Sequence, residues 1–294
     1  MKKLIYTLLL AVLCVPQLQA QEGEAEPQPV TDIFYGTRAI NLHTIKQIGK
    51  NVLAYRISHR LGPVFIQNSG DSPLYNFLGL DGPASISLMF DYGINDNLMV
   101  GVARDQFNKV YNGYVKYNIL NQQSGGGSPV TVAVYGKANL STLKDKAADI
   151  NGFDRFENFA HRMSYVTQVM IGRRFGERFA AQLSPTYIHH NLVELAGDGN
   201  DMFAISAAAQ YKFTKRLGIS GEFNYVLNDY ATNPDQFVSS AGLGLDIVTG
   251  GHIFQIHLLN SAHINEAFSI PYTISDWLDG NFRIGFNISR NFWL

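Results

Sequence analysis

From Asn51 onward the chain alternates between apolar and polar positions in short runs separated by polar turns. Period 2 is the pattern of a strand with one greasy face and one wet face. In the first run Leu53, Tyr55 and Ile57 share one face, and Ala54, Arg56, Ser58 and Arg60 share the other. The second run sets Ala84, Ile86, Leu88, Phe90 and Tyr92 against Ser85, Ser87, Met89 and Asp91. The pattern recurs from Leu98, from Tyr111, from Val130, over about Arg162 to Arg173 and over about Arg178 to His189. It returns in Phe203 to Phe213, Leu217 to Tyr225, Phe237 to Ile247 and Phe254 to Leu258. The last run, Phe282 to Leu294, has Phe282, Ile284, Phe286, Ile288, Phe292 and Leu294 on one parity; only Arg290 and Trp293 break it. An aromatic strand left open at a chain end invites aggregation. A transmembrane barrel uses such a strand to close onto its first, with the apolar face toward lipid.

The connections alternate as well. Segments 61–83, 141–160, 191–201, 228–236 and 261–280 are long, whereas 93–97, 174–177, 214–215 and 249–251 are short. Two do not fit: 105–109 is short on the long side, and 121–128 is long on the short side. About 12 strands result, and long loops on one side with short turns on the other are the mark of an outer-membrane barrel. The expectation is an all-β, transmembrane, antiparallel up-and-down barrel over 51–294. Aromatics near run ends (Tyr92, Tyr111, Phe179, Tyr187, Phe213, Phe237, Phe282, Trp293) suit interfacial girdles. A soluble β-sandwich would show the same parity, so the terminal strand, the loop asymmetry and an export signal decide against it.

That signal lies at the start. Lys2 and Lys3 precede an apolar stretch from Leu4 to Val15, and Ala20 offers a small residue at a cleavage point. The pattern predicts a secretory signal peptide over 1–20. A lipoprotein signal on Cys14 is the weaker alternative, because Leu13 is large for a lipobox. Cleavage would remove the only cysteine, and two lysines of the 23 basic residues against none of the 24 acidic, leaving about −3. Nothing in that balance points to nucleic acid. Hydrophobic content of 46% lacks the long apolar runs of membrane helices beyond the signal. Residues 21–50 read as a periplasmic linker and short N-terminal segment. For 31–50 three roles stay open: a short strand, a cap, or a plug entering the lumen.

Arg56, Arg60, Asp91, Lys116, Lys137, Glu222, Asp246, His257 and Arg283 carry charge or a titratable ring on the inward parity. Mixed signs favour a paired network filling a narrow barrel, since buried charges must be paired. A constriction selecting a polar solute is the competing reading. The eight histidines show no metal or haem spacing, and neither a cofactor nor a metal is expected. His59 and His189 lie on the lipid parity near the long loops, as a lipid hydrolase would need, but no partner serine is identifiable. Gly242 and Gly244, within one strand, read as close packing or curvature.

Several segments together carry a resemblance: Asn41–Thr44, Arg56–Gly62, Phe77–Asp81, Asp91–Leu120 and His252–Ser261. They resemble the family catalogued as domain of unknown function 5777, predicted outer-membrane β-barrels of Bacteroidetes-type bacteria. The family pattern has glycine where this chain has Leu42. The resemblance covers the mature chain and implies fold and location; the family carries no assigned activity, so it transfers no functional residues. The expected task is a narrow pore or binding barrel for a small polar solute. A filled structural barrel with long extracellular loops is the alternative. Expected partners are outer-membrane lipid and the assembly machinery, with Phe292, Trp293 and Leu294 as the assembly signal.

Overall fold

The apolar parity has no partner within the sheet, and the polar parity has no solvent unless it faces inward. A closed ring answers both demands, because it leaves no unpaired edge and turns the two faces apart. The computed structural model describes residues 27–65, 73–144, 156–193, 195 and 197–294. The expected signal peptide and Cys14 lie outside the described residues.

Among the described residues twelve antiparallel strands form one closed barrel. They are β1 (Val52–Pro63), β2 (Ser85–Gly93), β3 (Leu98–Asp105), β4 (Val110–Leu120), β5 (Thr131–Ser141), β6 (Met163–Phe175), β7 (Phe179–His190), β8 (Asp201–Lys212), β9 (Leu217–Val226), β10 (Ala241–Thr249), β11 (His252–Leu259) and β12 (Arg283–Trp293). Each pairs with its neighbours in sequence, and β12 closes on β1 with Phe292 opposite Leu53 and Asn287 opposite Ser58. The seam carries an irregularity between Arg283 and Gly285.

Burial follows parity. In β1 every residue of the Arg56 face is buried, and in β8 Met202, Ala204, Ser206, Ala208, Gln210 and Lys212 are buried while Phe203 and Tyr211 are exposed. The exposed set is an apolar belt that includes Phe90, Val102, Val115, Ile119, Phe223, Leu243 and Ile256.

One strand boundary differs from the sequence pattern. Phe237 continues the alternation of β10 but is not in it. It sits in the preceding loop, packed on Tyr230 and Tyr272 with ring centroids 6.0 and 5.4 Å away. The backbone there is captured by another loop: Val238 N–H donates to Thr273 O at 2.8 Å. Tertiary pairing overrides the local period.

The N-terminal segment settles inside the ring. Gln28–Pro29 first pair with Gln123–Ser124 at the short-turn end. The chain then enters the lumen, where Ile33, Phe34 and every residue from Arg38 to Ile45 are buried. Of the three roles open for 31–50, it takes that of a plug, and 33–45 are not an external linker. At the other end the connection 260–282 folds inward around a short helix, α1 (Glu266–Ser269), with Glu266, Ala267 and Ile270 buried.

Candidate functional site

The plug is a small hairpin. Arg38 and His43 form an antiparallel bridge, Ala39 N–H donates to Leu42 O at 2.9 Å, and Thr44 N–H donates to Thr37 O at 2.8 Å. That turn leaves the amides at its tip without partners of their own, and a buried N–H must find one. Glu222, inward on β9, supplies it. Its Oε2 accepts from the N–H groups of Ile40, Asn41 and Leu42 at 3.2, 2.8 and 2.9 Å.

The wall satisfies the rest of the hairpin backbone. Arg56 and Asn287 donate to Ile40 O at 3.1 and 3.2 Å, and Gln255 donates to Ala39 O at 2.6 Å. The Gln182 amide works in both directions, accepting from Ile45 N–H and donating to His43 O, each at 2.8 Å. Lys116 Nζ donates to Thr44 O and Lys46 O at 2.7 and 2.5 Å. Tyr35 N–H donates to Gln210 Oε1 at 2.8 Å. The wall is also hollowed for hairpin side chains. A Cβ on Gly242 would meet Ile40 Cδ1 at 2.9 Å, and one on Gly172 would meet Ile45 Cδ1 at 2.7 Å. Close packing is therefore the role of Gly242, with the hairpin as the other partner.

The hairpin and the inward loop meet at Glu266. Its carboxylate pairs with Arg38 of the hairpin at 3.0 Å and with Lys137 of β5. Beside it Asn265 donates to Asp105 and Asn139, each at 2.8 Å, which ties the loop to β3 and β5. Burial alone would raise the Glu266 carboxyl, but Lys137 and Arg38 outweigh it and hold it below the usual carboxylate range. His43 stands 4.0 Å from Glu266 Oε1, between the rings of Tyr114 and Tyr135 at 5.0 and 4.3 Å. Neither ring nitrogen has a hydrogen-bond partner among the described residues. Burial, then the cations Arg38, Lys116, Lys137 and Arg56, pushes His43 well below its ordinary value.

Of the residues singled out in the sequence, Arg56, Arg60, Asp91, Lys116, Lys137, Glu222, Asp246 and His257 are all buried within the lumen. Asp246 accepts from Gln210 and Gln255, and Asp91 from Tyr114 at 2.5 Å. Arg283, the first residue of β12, keeps the inward parity opposite buried Leu259; it is half-buried beside the seam irregularity and approaches Leu61 O at 3.4 Å.

On the outer face His189 meets Asp201 Oδ1 at 2.7 Å and Asn191 Oδ1 at 2.9 Å, and His59 stacks on Phe286. No serine hydroxyl contacts either ring among the described hydrogen bonds. No cluster of metal-ligating side chains is found among the described residues. Sequence reasoning missed Arg38, His43 and Glu266, which lie outside the alternating runs. The signal that was available is the set of inward glycines and long amides on the wall, which leave space and unpaired groups for a second backbone.

The model of the family described as "Membrane bound beta barrel domain (DUF5777)" matches residues 34–292. This chain belongs to that family. The DUF5777 match begins at Phe34, so hairpin and barrel fall within one matched domain. No curated protein matches the chain. Among solved structures, the chain is similar to the NanC porin (10% identity, 82% of this chain and 100% of that one, TM-score 0.49). It is also similar to the KdgM porin (9%, 82% and 99%, TM-score 0.47). A third is the COG4313 outer membrane channel from Pseudomonas putida F1 (10%, 84% and 96%, TM-score 0.45). The fold is given by the chain's own strand pairing, not by these likenesses.

Proposed function

We propose that this DUF5777 barrel is a self-plugged channel of the bacterial outer membrane that admits small polar solutes when its hairpin withdraws. One observation carries the reading. The hairpin is buried from Arg38 to Ile45, yet its backbone is held by side chains that belong to the wall. Removing it would leave a lumen lined by carboxylate, amide, guanidinium and ammonium groups, the lining of a polar passage. The apolar belt supports a bilayer location, and export by a signal peptide belongs to the same proposal. A second reading is favoured by the Arg38–Glu266–Lys137 contact, which locks the hairpin to the opposite loop. It is a permanently filled barrel that presents its long loops to a partner.

One experiment separates them. Lys50 and Asn51 are exposed at the exit of the hairpin. A site-specific protease sequence inserted between them lets the whole chain fold before the hairpin is severed. In planar bilayers the intact protein is expected to be nearly silent and the severed one to show defined steps of current. A severed barrel that migrates as folded, has lost its hairpin by mass spectrometry and stays silent would favour the filled barrel.

A further inference from the structure

We infer that the lumen is a binding site for the main chain of a short peptide, which the hairpin occupies as an internal stand-in. This rests on the hairpin being removable. Peptide groups present separate donors and acceptors in alternation, and the wall answers with separate acceptors and donors. Glu222 and Gln210 take N–H groups, Arg56, Gln255 and Lys116 take carbonyls, and Gln182 takes one of each from neighbouring residues. A paired amide of that kind is how one strand reads another. Hairpin side chains take part in few of these bonds. Arg38 is read by Glu266, Asn41 by Arg60 at 2.5 Å and by His263 O at 3.4 Å, and Thr37 donates to Asp91 at 3.3 Å. Sugars ask for something else, since each hydroxyl donates and accepts at one atom. The hollows over Gly242 and Gly172 accept aliphatic side chains, so the expected ligand is an uncharged or weakly charged peptide able to turn.

Binding, not conduction, provides the test. The full chain is folded, severed between Lys50 and Asn51 and washed free of its hairpin, with heat-modifiable migration confirming the fold. A fluorescent peptide of residues 33–46 is then titrated by anisotropy and competed with capped hexa-alanine or with maltohexaose. Hexa-alanine is expected to compete within about a hundredfold of the plug peptide, and maltohexaose not at all. N-methylation at the nitrogens of residues 40–42 is expected to weaken the peptide by about tenfold or more, because each methyl deletes a charge-assisted donor. Glu222→Gln should weaken it by about tenfold while leaving the barrel folded. Hexa-alanine without effect means recognition through plug side chains and overturns the inference, as does equal competition by maltohexaose. A silent barrel that binds peptide sinks only the pore reading; a conducting barrel that ignores peptide sinks only this one.

Discussion

At Glu222 a single carboxylate oxygen closes three backbone donors, so the residue has no conservative replacement on the hydrocarbon side. Glu222→Leu leaves those N–H groups buried and unpaired, at a cost of about 3 kcal/mol. Cleavage of a protease site at 50/51 is expected to release the hairpin about a hundredfold faster in that variant. Two histidines make release depend on pH. His43 in the hairpin is held well below 6.5, and His263 in the inward loop is pushed down to about 4 by burial and then by Arg283. Both stay neutral while packed and protonate when released, so the released state binds more protons. Closure is therefore firmest above about pH 6.5 and weakens as pH falls toward the packed values. The cations Arg38, Lys116, Lys137 and Arg56 oppose a protonated His43, and Glu266 at 4.0 Å favours it. Hairpin release in acid, measured by cleavage at pH 7.5 against 5.5, should be blunted in His43→Phe; an unchanged pH profile there removes His43 from the account.

Among the elements, α1 and the hairpin depend on each other. Breaking a buried pair from one side strands the other charge, which costs about 3–5 kcal/mol. Glu266→Gln is expected to loosen the hairpin, and a double-mutant cycle with Arg38→Met should show that the two changes are not additive. Additive effects would mean that loop and hairpin close the lumen separately. At the seam, β12 lies against β1 along nearly its whole length. We propose that Phe292, Trp293 and Leu294, all exposed, are read during insertion; deletion of 291–294 should abolish heat-modifiable folding, and normal folding of that variant would refute the role. Period alone revealed β12, because its aromatic parity holds at every position but Arg290 and Trp293. It misplaced Phe237, where a loop–loop contact captures residues that fit a strand equally well.

For the whole molecule, the ring was legible because lipid and lumen impose opposite polarity on successive residues. The nine residues named from parity lie on the face that parity gives them, eight of them buried and Arg283, at the start of its strand, half-buried. The hairpin was not legible. Its residues, from Gly36 to Ile45, have no period, since beyond the two bonds of their own turn their backbone is satisfied by side chains far away in sequence. Aliphatic Ile40 and Ile45 sit in hollows that only distant glycines create.

The hairpin immediately precedes β1 and meets its Arg56 and Arg60, yet most of its partners come from β4, β7, β8, β9, β11 and β12. Those strands emerge later along the chain, and the last of them is the one that shuts the circle. The enclosed segment must then be in place before the circle shuts, or be threaded in afterwards through one end. Such contacts, between residues more than 200 positions apart, reward the chain only near the end of assembly. Maturation of this protein is thus expected to show a slow final phase, and a chain begun at residue 50 should lose that phase without losing its strands.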